Sequence, residues 1–160
     1  MEISANKDTG QTVYELAYLV LPSIAEEGLG KVVESLKGII AREGGTEIAG
    51  EDPFKQELSY TMTKTIGASR YVVNDAYLGW IKFDLPAEAS AKEGVEHPAN
   101  KIKADVEKMD EIVRILLVKA PRETTFTFAE ARKALEVEEA EEAEPADVED
   151  SGEVKEAVVE

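Results

Sequence analysis

The chain has 160 residues and no cysteine, which excludes disulfides, thiolate metal sites and a cysteine nucleophile. Its single histidine, His97, excludes metal sites built on several imidazoles. There is no glycine-rich phosphate loop, no GxGxxG, no Ser/His/Asp order and no metal-ligand spacing. Carboxylates are plentiful, but no pair has a spacing that sets catalysis apart from surface charge. The residues therefore point to a non-enzyme without a cofactor. No apolar run approaches the length of a membrane span, and the first residues lack a basic-then-apolar signal pattern. A soluble, cytoplasmic protein is expected. Positive charge is also scarce. The formal net charge is −16, and residues 137–160 hold eleven acidic residues against Lys155 alone. An acidic chain of this kind does not attract nucleic acid non-specifically.

Against these absences stands one stretch rich in aromatic and β-branched residues, Ala76 to Pro86, which holds the only tryptophan. It reads as a central β-strand that stops at a proline unable to continue a ladder. Side chains alternate faces along a strand. Tyr77, Ile81, Phe83 and Leu85 therefore make a core face, with Gly79 between them. Leu78, Trp80, Lys82 and Asp84 point the other way. That second face is either a solvated sheet surface or a docking surface, because tryptophan is enriched where partners bury apolar area. Leu78 and Trp80 are its candidate contacts. On that reading Trp80→Ala weakens partner binding more than it weakens the fold.

The remaining elements follow in order. Residues 1–11 read as a loose leader. Val13 to Leu21 is apolar on both faces and reads as a strand. Ser23 and Glu26 form a capping-box pattern, followed by an apolar stripe from Leu29 to Ile40 and a Gly44-Gly45 stop. Thr46 to Lys64 contains a second strand, interrupted near Pro53, and Thr65 to Asp75 reads as a long hairpin tip. Arg70 sits in that tip, where a basic side chain is either solvated or an RNA contact. His97-Pro98 reads as a loop or helix start, and Ile102, Val106 and Met109 make a second helical stripe. Ile112 to Lys119 is a near-continuous apolar run, expected to be buried on both faces, with Arg114 as the exception. Thr127 and Glu130 form another capping-box pattern before a short helix, Phe128 to Glu136. From Val137 the composition is that of a charge run that stays disordered.

Strand, helix, strand, strand, helix, strand is the split β-α-β pattern of an α+β, ferredoxin-like sandwich. Its four-stranded antiparallel sheet carries two helices on one face. The expected organisation is a leader (1–11), the sandwich (12–121), an extension with a short helix (122–136) and an acidic tail (137–160). The opposite sheet face calls for a partner or for cover from the chain's own ends.

Several pieces of the chain, between Tyr14 and Pro121, resemble the bacterial small-subunit ribosomal protein S-six family. Tyr14-Glu15, eight residues before Pro22, is similar to the family's opening pair and strand-end proline. Leu58-Ser59-Tyr60-Thr61-Met62 resembles its Leu-Ala-Tyr-Pro-Ile, and Tyr77 to Pro86 its third strand. Asp110-Glu111-Ile112-Val113-Arg114-Ile115-Leu116, followed by Val118-Lys119, resembles its Asp-Glu-x-Val-x-Arg-x-Leu ending with one residue fewer. The resemblance implies a structural, RNA-binding protein of the small ribosomal subunit. Its implied partners are 16S rRNA and ribosomal protein S-eighteen, with the open sheet face on the partner side. It carries over to Tyr60, Lys64, Trp80 and Arg114, and Lys55 is the one basic residue near the Leu-Ala-Tyr match. RNA contacts are thus expected at Lys55, Lys64, Arg70 and Arg114, and partner contacts at Tyr60, Leu78 and Trp80. The chain departs from the family pattern where Thr12, Val13, Gln56 and Glu57 replace basic residues, and where Thr61 replaces proline. The hairpin tip also looks extended. The electrostatic share of RNA affinity should therefore be small. A ferredoxin-like module that self-associates through its open sheet, without RNA, fits the charge balance better. A small enzyme on the same fold would need a pocket of convergent titratable groups.

Overall fold

The computed structural model describes residues 10–87 and 94–142. Seven elements follow one another: β1 (Gln11–Val20), α1 (Glu26–Arg42), β2 (Thr46–Ile66), β3 (Ser69–Pro86), α2 (Pro98–Glu107), β4 (Ile112–Lys119) and α3 (Phe128–Glu142). The strands form one antiparallel sheet in the order β2-β3-β1-β4, the ferredoxin-like arrangement. The described residues fall into two compact units, divided between Thr125 and Phe126. The leader and tail expectations fall largely outside the described residues, as do residues 88–93.

The core lies between the sheet and the first two helices. Tyr14, Leu16, Tyr18 and Val20 of β1, and Tyr77, Ile81, Phe83 and Leu85 of β3, meet Leu36 and Ile40 of α1 and Ile102 and Val106 of α2. The expected inward face of β3 is thus the observed one. Gly79 faces Tyr18 across the ladder, and a Cβ there would lie 2.5 Å from the Tyr18 hydroxyl. The missing side chain is what lets the Tyr18 ring lie flat in the core. Arg42 of α1 meets Asp105 of α2 at 2.6 Å and ties the two helices together.

Local chemistry explains most boundaries. His97 caps α2, its Nδ1 accepting the Ala99 amide at 3.0 Å, with Pro98 at the first helical position. Gly44 follows the end of α1 at φ +84, a backbone conformation that a Cβ resists. The start of α1 departs from expectation. Ser23 is not its cap. Ala25 is, and it makes no side-chain cap bond. Leu21 is held by its amide on the Glu111 carbonyl at 2.8 Å, and a turn closed by the Ile24 amide on the Leu21 carbonyl at 3.2 Å delays the helix.

The expected hairpin tip is also different. Residues 69–75 are paired strand, and the turn is only Gly67-Ala68, with Gly67 at φ +58. Beyond a first register shift between Glu47 and Ala49, two further irregularities shape this long β2–β3 arm, one between Glu51 and Phe54 and one between Glu57 and Met62. Pro53, which has no amide to donate, sits between Glu51 and Phe54 and does not end the strand. Between Glu57 and Met62, the Thr61 hydroxyl donates to the Asn74 side-chain oxygen at 2.9 Å. Beyond it the arm returns to the sheet's far edge: the Lys64 ammonium donates to the Met109 carbonyl at 3.2 Å.

In the second unit, α3 begins at the expected capping box. The Glu130 amide donates to Thr127 Oγ1 at 3.3 Å, and the same hydroxyl donates to the Glu130 carboxylate at 3.0 Å. The helix runs past Glu136 and Val137 to Glu142, so the charge run begins as helix.

Candidate nucleic-acid and partner interface

Ladder register fixes which side chains share the face opposite the helices. Leu19 faces Leu78 and Arg114, Ala17 faces Trp80 and Leu116, and Glu15 faces Lys82 and Val118. The face is thus a grid in which β3 supplies one side and β4 the other.

The β3 side is covered by the chain itself. Trp80 lies on the expected face but is 4% exposed, and its indole N–H donates to the Glu51 carboxylate. This corrects the expectation of an open docking tryptophan. Leu78 beside it is half-buried. Lys82 and Asp84 are both buried. Burying a charge is costly unless it is paired and hydrogen-bonded, and residues 120–124 supply the partners. The Ala120 amide donates to the Val13 carbonyl at 3.0 Å as the chain leaves β4. The Lys82 ammonium then donates to the Glu123 carbonyl and to Thr124 Oγ1, each at 3.2 Å. Arg122 meets the Asp84 carboxylate at 3.0 Å and also reaches the Gln11 side chain. The segment is therefore a strap pinned over β3 by two buried charges.

The β4 side is open. Leu116 is 61% exposed and Val118 41% exposed, and Arg114 is exposed beside them. The expectation that β4 is buried on both faces is corrected here. Only alternate residues turn inward, Ile115 and Leu117 among them, because β4 is an edge strand whose inner face alone meets the core. The β2–β3 arm adds Tyr60, itself 57% exposed. Arg114 donates to the Tyr60 hydroxyl, and its guanidinium carbon lies 5.7 Å from the Tyr60 ring centroid. Such a contact holds a cation over a π-face at the rim of an apolar strip.

The expected site residues thus separate. Tyr60 and Arg114 come together, and Lys64 lies further along the same strand with its ammonium engaged by a backbone carbonyl. Arg70 is exposed next to the arm's turn, followed by the exposed Tyr71 and Val72. Lys55 is elsewhere: it faces α1 with the buried Tyr77, 6.0 Å from that ring, and is paired with Asp75 at 3.4 Å. Leu78 and Trp80 belong to the covered half. Leu116 and Val118 were not singled out from sequence. Their signal is the alternation Arg114, Leu116, Val118, since a charged residue inside an apolar run marks the outward register. Among the described residues no group of three or more His, Asp or Glu side chains is placed to hold a metal ion.

The family model described as ribosomal protein S6 matches residues 13–119. A solved structure of 30S ribosomal protein S6 from Thermotoga maritima is 17% identical, covers 80% of this chain and 98% of that chain, and superposes with a TM-score of 0.52. At that identity the likeness is one of fold. No curated protein matches the chain. The family match begins in β1 and ends with β4, taking in every strand and both helices of the sandwich, and the chain belongs to the ribosomal protein S6 family.

Proposed function

We propose that the protein binds 16S rRNA together with ribosomal protein S-eighteen, using the open half of its sheet and the adjoining β2–β3 arm. Family membership makes it a small-subunit ribosomal protein with a structural role; the cytoplasmic ribosome is its proposed place of action. The observation that carries the finer reading is the strip formed by Leu116 and Val118, exposed on an edge strand and bordered by the Arg114–Tyr60 contact. Apolar area rimmed by an arginine and a tyrosine is what a protein partner buries. The same arginine and Arg70 at the arm's turn are the cations best placed to meet phosphates. Lys64 and Lys55 are already engaged, at the Met109 carbonyl and Asp75 respectively, and contribute less.

Few free cations on an acidic domain imply a shallow salt dependence, because each neutralised phosphate releases its own counterions. The test is co-sedimentation with purified small ribosomal subunits over a salt series, with the full chain and with a chain lacking 137–160. Stable co-sedimentation with a shallow slope is expected from both. Failure of both, with a homodimer in solution, would replace this reading with that of a self-associating module.

A further inference from the structure

An acidic chain that binds RNA needs donors that carry no charge, and their place is marked by where the carboxylates stop. Acidic residues number 34 in 160, yet none falls between Leu58 and Asn74 or between Ile112 and Arg122, the two longest such gaps in the chain. The first gap is the outer part of the β2–β3 arm, and the second is β4 with the start of the strap. The fold brings the two together, since Arg114 of the second donates to the Tyr60 hydroxyl of the first. The carboxylates that bound the arm are turned away. Glu57 faces Asp75 in the ladder, on the same side as Tyr77, and Asp75 is paired there with Lys55 at 3.4 Å.

Register settles what the arm presents on its other side. Alternation carries the outward row of Trp80 and Leu78 on to Asn74, Val72 and Arg70 along β3. On β2, Thr63 faces Val72 and Thr65 faces Arg70. Thr61 joins the same side, its hydroxyl donating to the Asn74 side chain at 2.9 Å. All six of these arm residues are exposed. The result is a two-stranded ribbon of hydroxyls with one guanidinium near its end and no carboxylate. Thr63 and Thr65 stand about 6.6 Å apart along the strand, a step comparable to that between neighbouring nucleotides of one RNA strand. The turn beyond them is made of small residues, Gly67, Ala68 and Ser69, so nothing bulky blocks an approach along the ribbon.

We propose that this face of the arm lies in the minor groove of an rRNA helix, with the Thr63 and Thr65 hydroxyls bonded to ribose 2′-hydroxyls and Arg70 meeting a phosphate. The inference rests on the rRNA reading above and names the contact by which an acidic chain achieves it. The minor groove of an RNA helix is wide and shallow and displays its 2′-hydroxyls, which suits a flat ribbon of short side chains. A threonine hydroxyl donates and accepts, as a 2′-hydroxyl does, so each pair bonds in either direction. Lysines at these positions would attract any polyanion, whereas hydroxyls that meet 2′-hydroxyls select RNA over DNA. A protein partner would call for an apolar centre, and Val72 is the one apolar side chain of the six.

The test is binding of the full chain to small ribosomal subunits reconstituted without it, with hydroxyl-radical footprinting of the 16S rRNA. Joint Thr63→Val and Thr65→Val substitution keeps the β-branched shape, so the urea midpoint should stay unchanged. Affinity should fall about tenfold, with the salt slope unaltered, and riboses of paired nucleotides that the unsubstituted chain protects should become cleavable again. Joint Thr63→Ser and Thr65→Ser substitution, which keeps both hydroxyls, should bind as the unsubstituted chain does. Arg70→Gln should instead lower the salt slope by about one. A double valine variant that binds as tightly as the unsubstituted chain would overturn the inference. So would weakened binding with an unchanged rRNA footprint, which would put a protein on this face. An unsubstituted chain that binds no subunit at all would remove the rRNA reading and this inference with it.

Discussion

The two halves of one sheet face have opposite fates. On β3, Trp80, Lys82 and Asp84 are covered by Glu51 and by the strap at residues 120–124. On β4, Arg114, Leu116 and Val118 lie at the same levels of the ladder and are exposed. Composition does not explain the difference, since the covered half holds two charges and the open half is mostly apolar. Covering is decided by where the chain goes after β4. It crosses β1 and settles on β3, where buried charges hold it. The half it leaves bare is the one available to another molecule.

Four substitutions test this division, in order of their expected effect on the fold. Trp80→Ala should destabilise by about 3 kcal/mol, as removal of a buried aromatic does, measured by urea denaturation. A change below about 1 kcal/mol would mean that the ring is not part of the folded core of this half. Arg122→Ala should cost about 1–2 kcal/mol, because it leaves the buried Asp84 without its cation while Arg122 itself is partly solvated. Faster amide exchange at Glu123 and Thr124 would show that the strap has lifted. Leu116→Asp should change stability by less than about 0.5 kcal/mol, as a surface substitution does, yet abolish co-sedimentation with small subunits.

Tyr18→Phe probes the core beneath both halves and should not destabilise the chain at neutral pH, since the hydroxyl it removes is buried without a hydrogen-bond partner. Burial first, then the Asp52 and Glu47 carboxylates, raise the Tyr18 hydroxyl above its ordinary value of 10.0. The folded chain therefore keeps a proton that the unfolded chain releases above pH 10. Stability is full below that pH and falls as the pH rises toward the folded value, by about 1.4 kcal/mol per pH unit. The variant should lose this part of the alkaline slope, read from denaturant midpoints between pH 9 and pH 11.

Much of the fold was legible because its signals are local. The inward faces of β1 and β3, the stripes of α1 and α2, the Gly44 stop and the His97-Pro98 start all follow from residues within a turn or two. The site was less legible because its exposure depends on distant partners. Nothing near Trp80 in sequence announces that Glu51 will hold its indole, or that residues 122–124 will cover its neighbours. The capping pattern at Ser23 failed for the same reason: the Leu21–Glu111 bond holds that stretch from across the fold. Arg114 was the exception. As a charge in an apolar run it marked the outward register of β4, and reading Leu116 and Val118 by the same alternation would have found the open strip.

Side-chain oxidation footprinting of the protein, free and bound to purified small ribosomal subunits, reads both halves at once. Leu116, Val118 and Tyr60 should be reactive in the free protein and protected in the complex, while Trp80 should be unreactive in both. Reactive Leu116 and Val118 in the sedimented complex, or a Trp80 that is reactive when free and protected when bound, would contradict the division of the face on which this account rests.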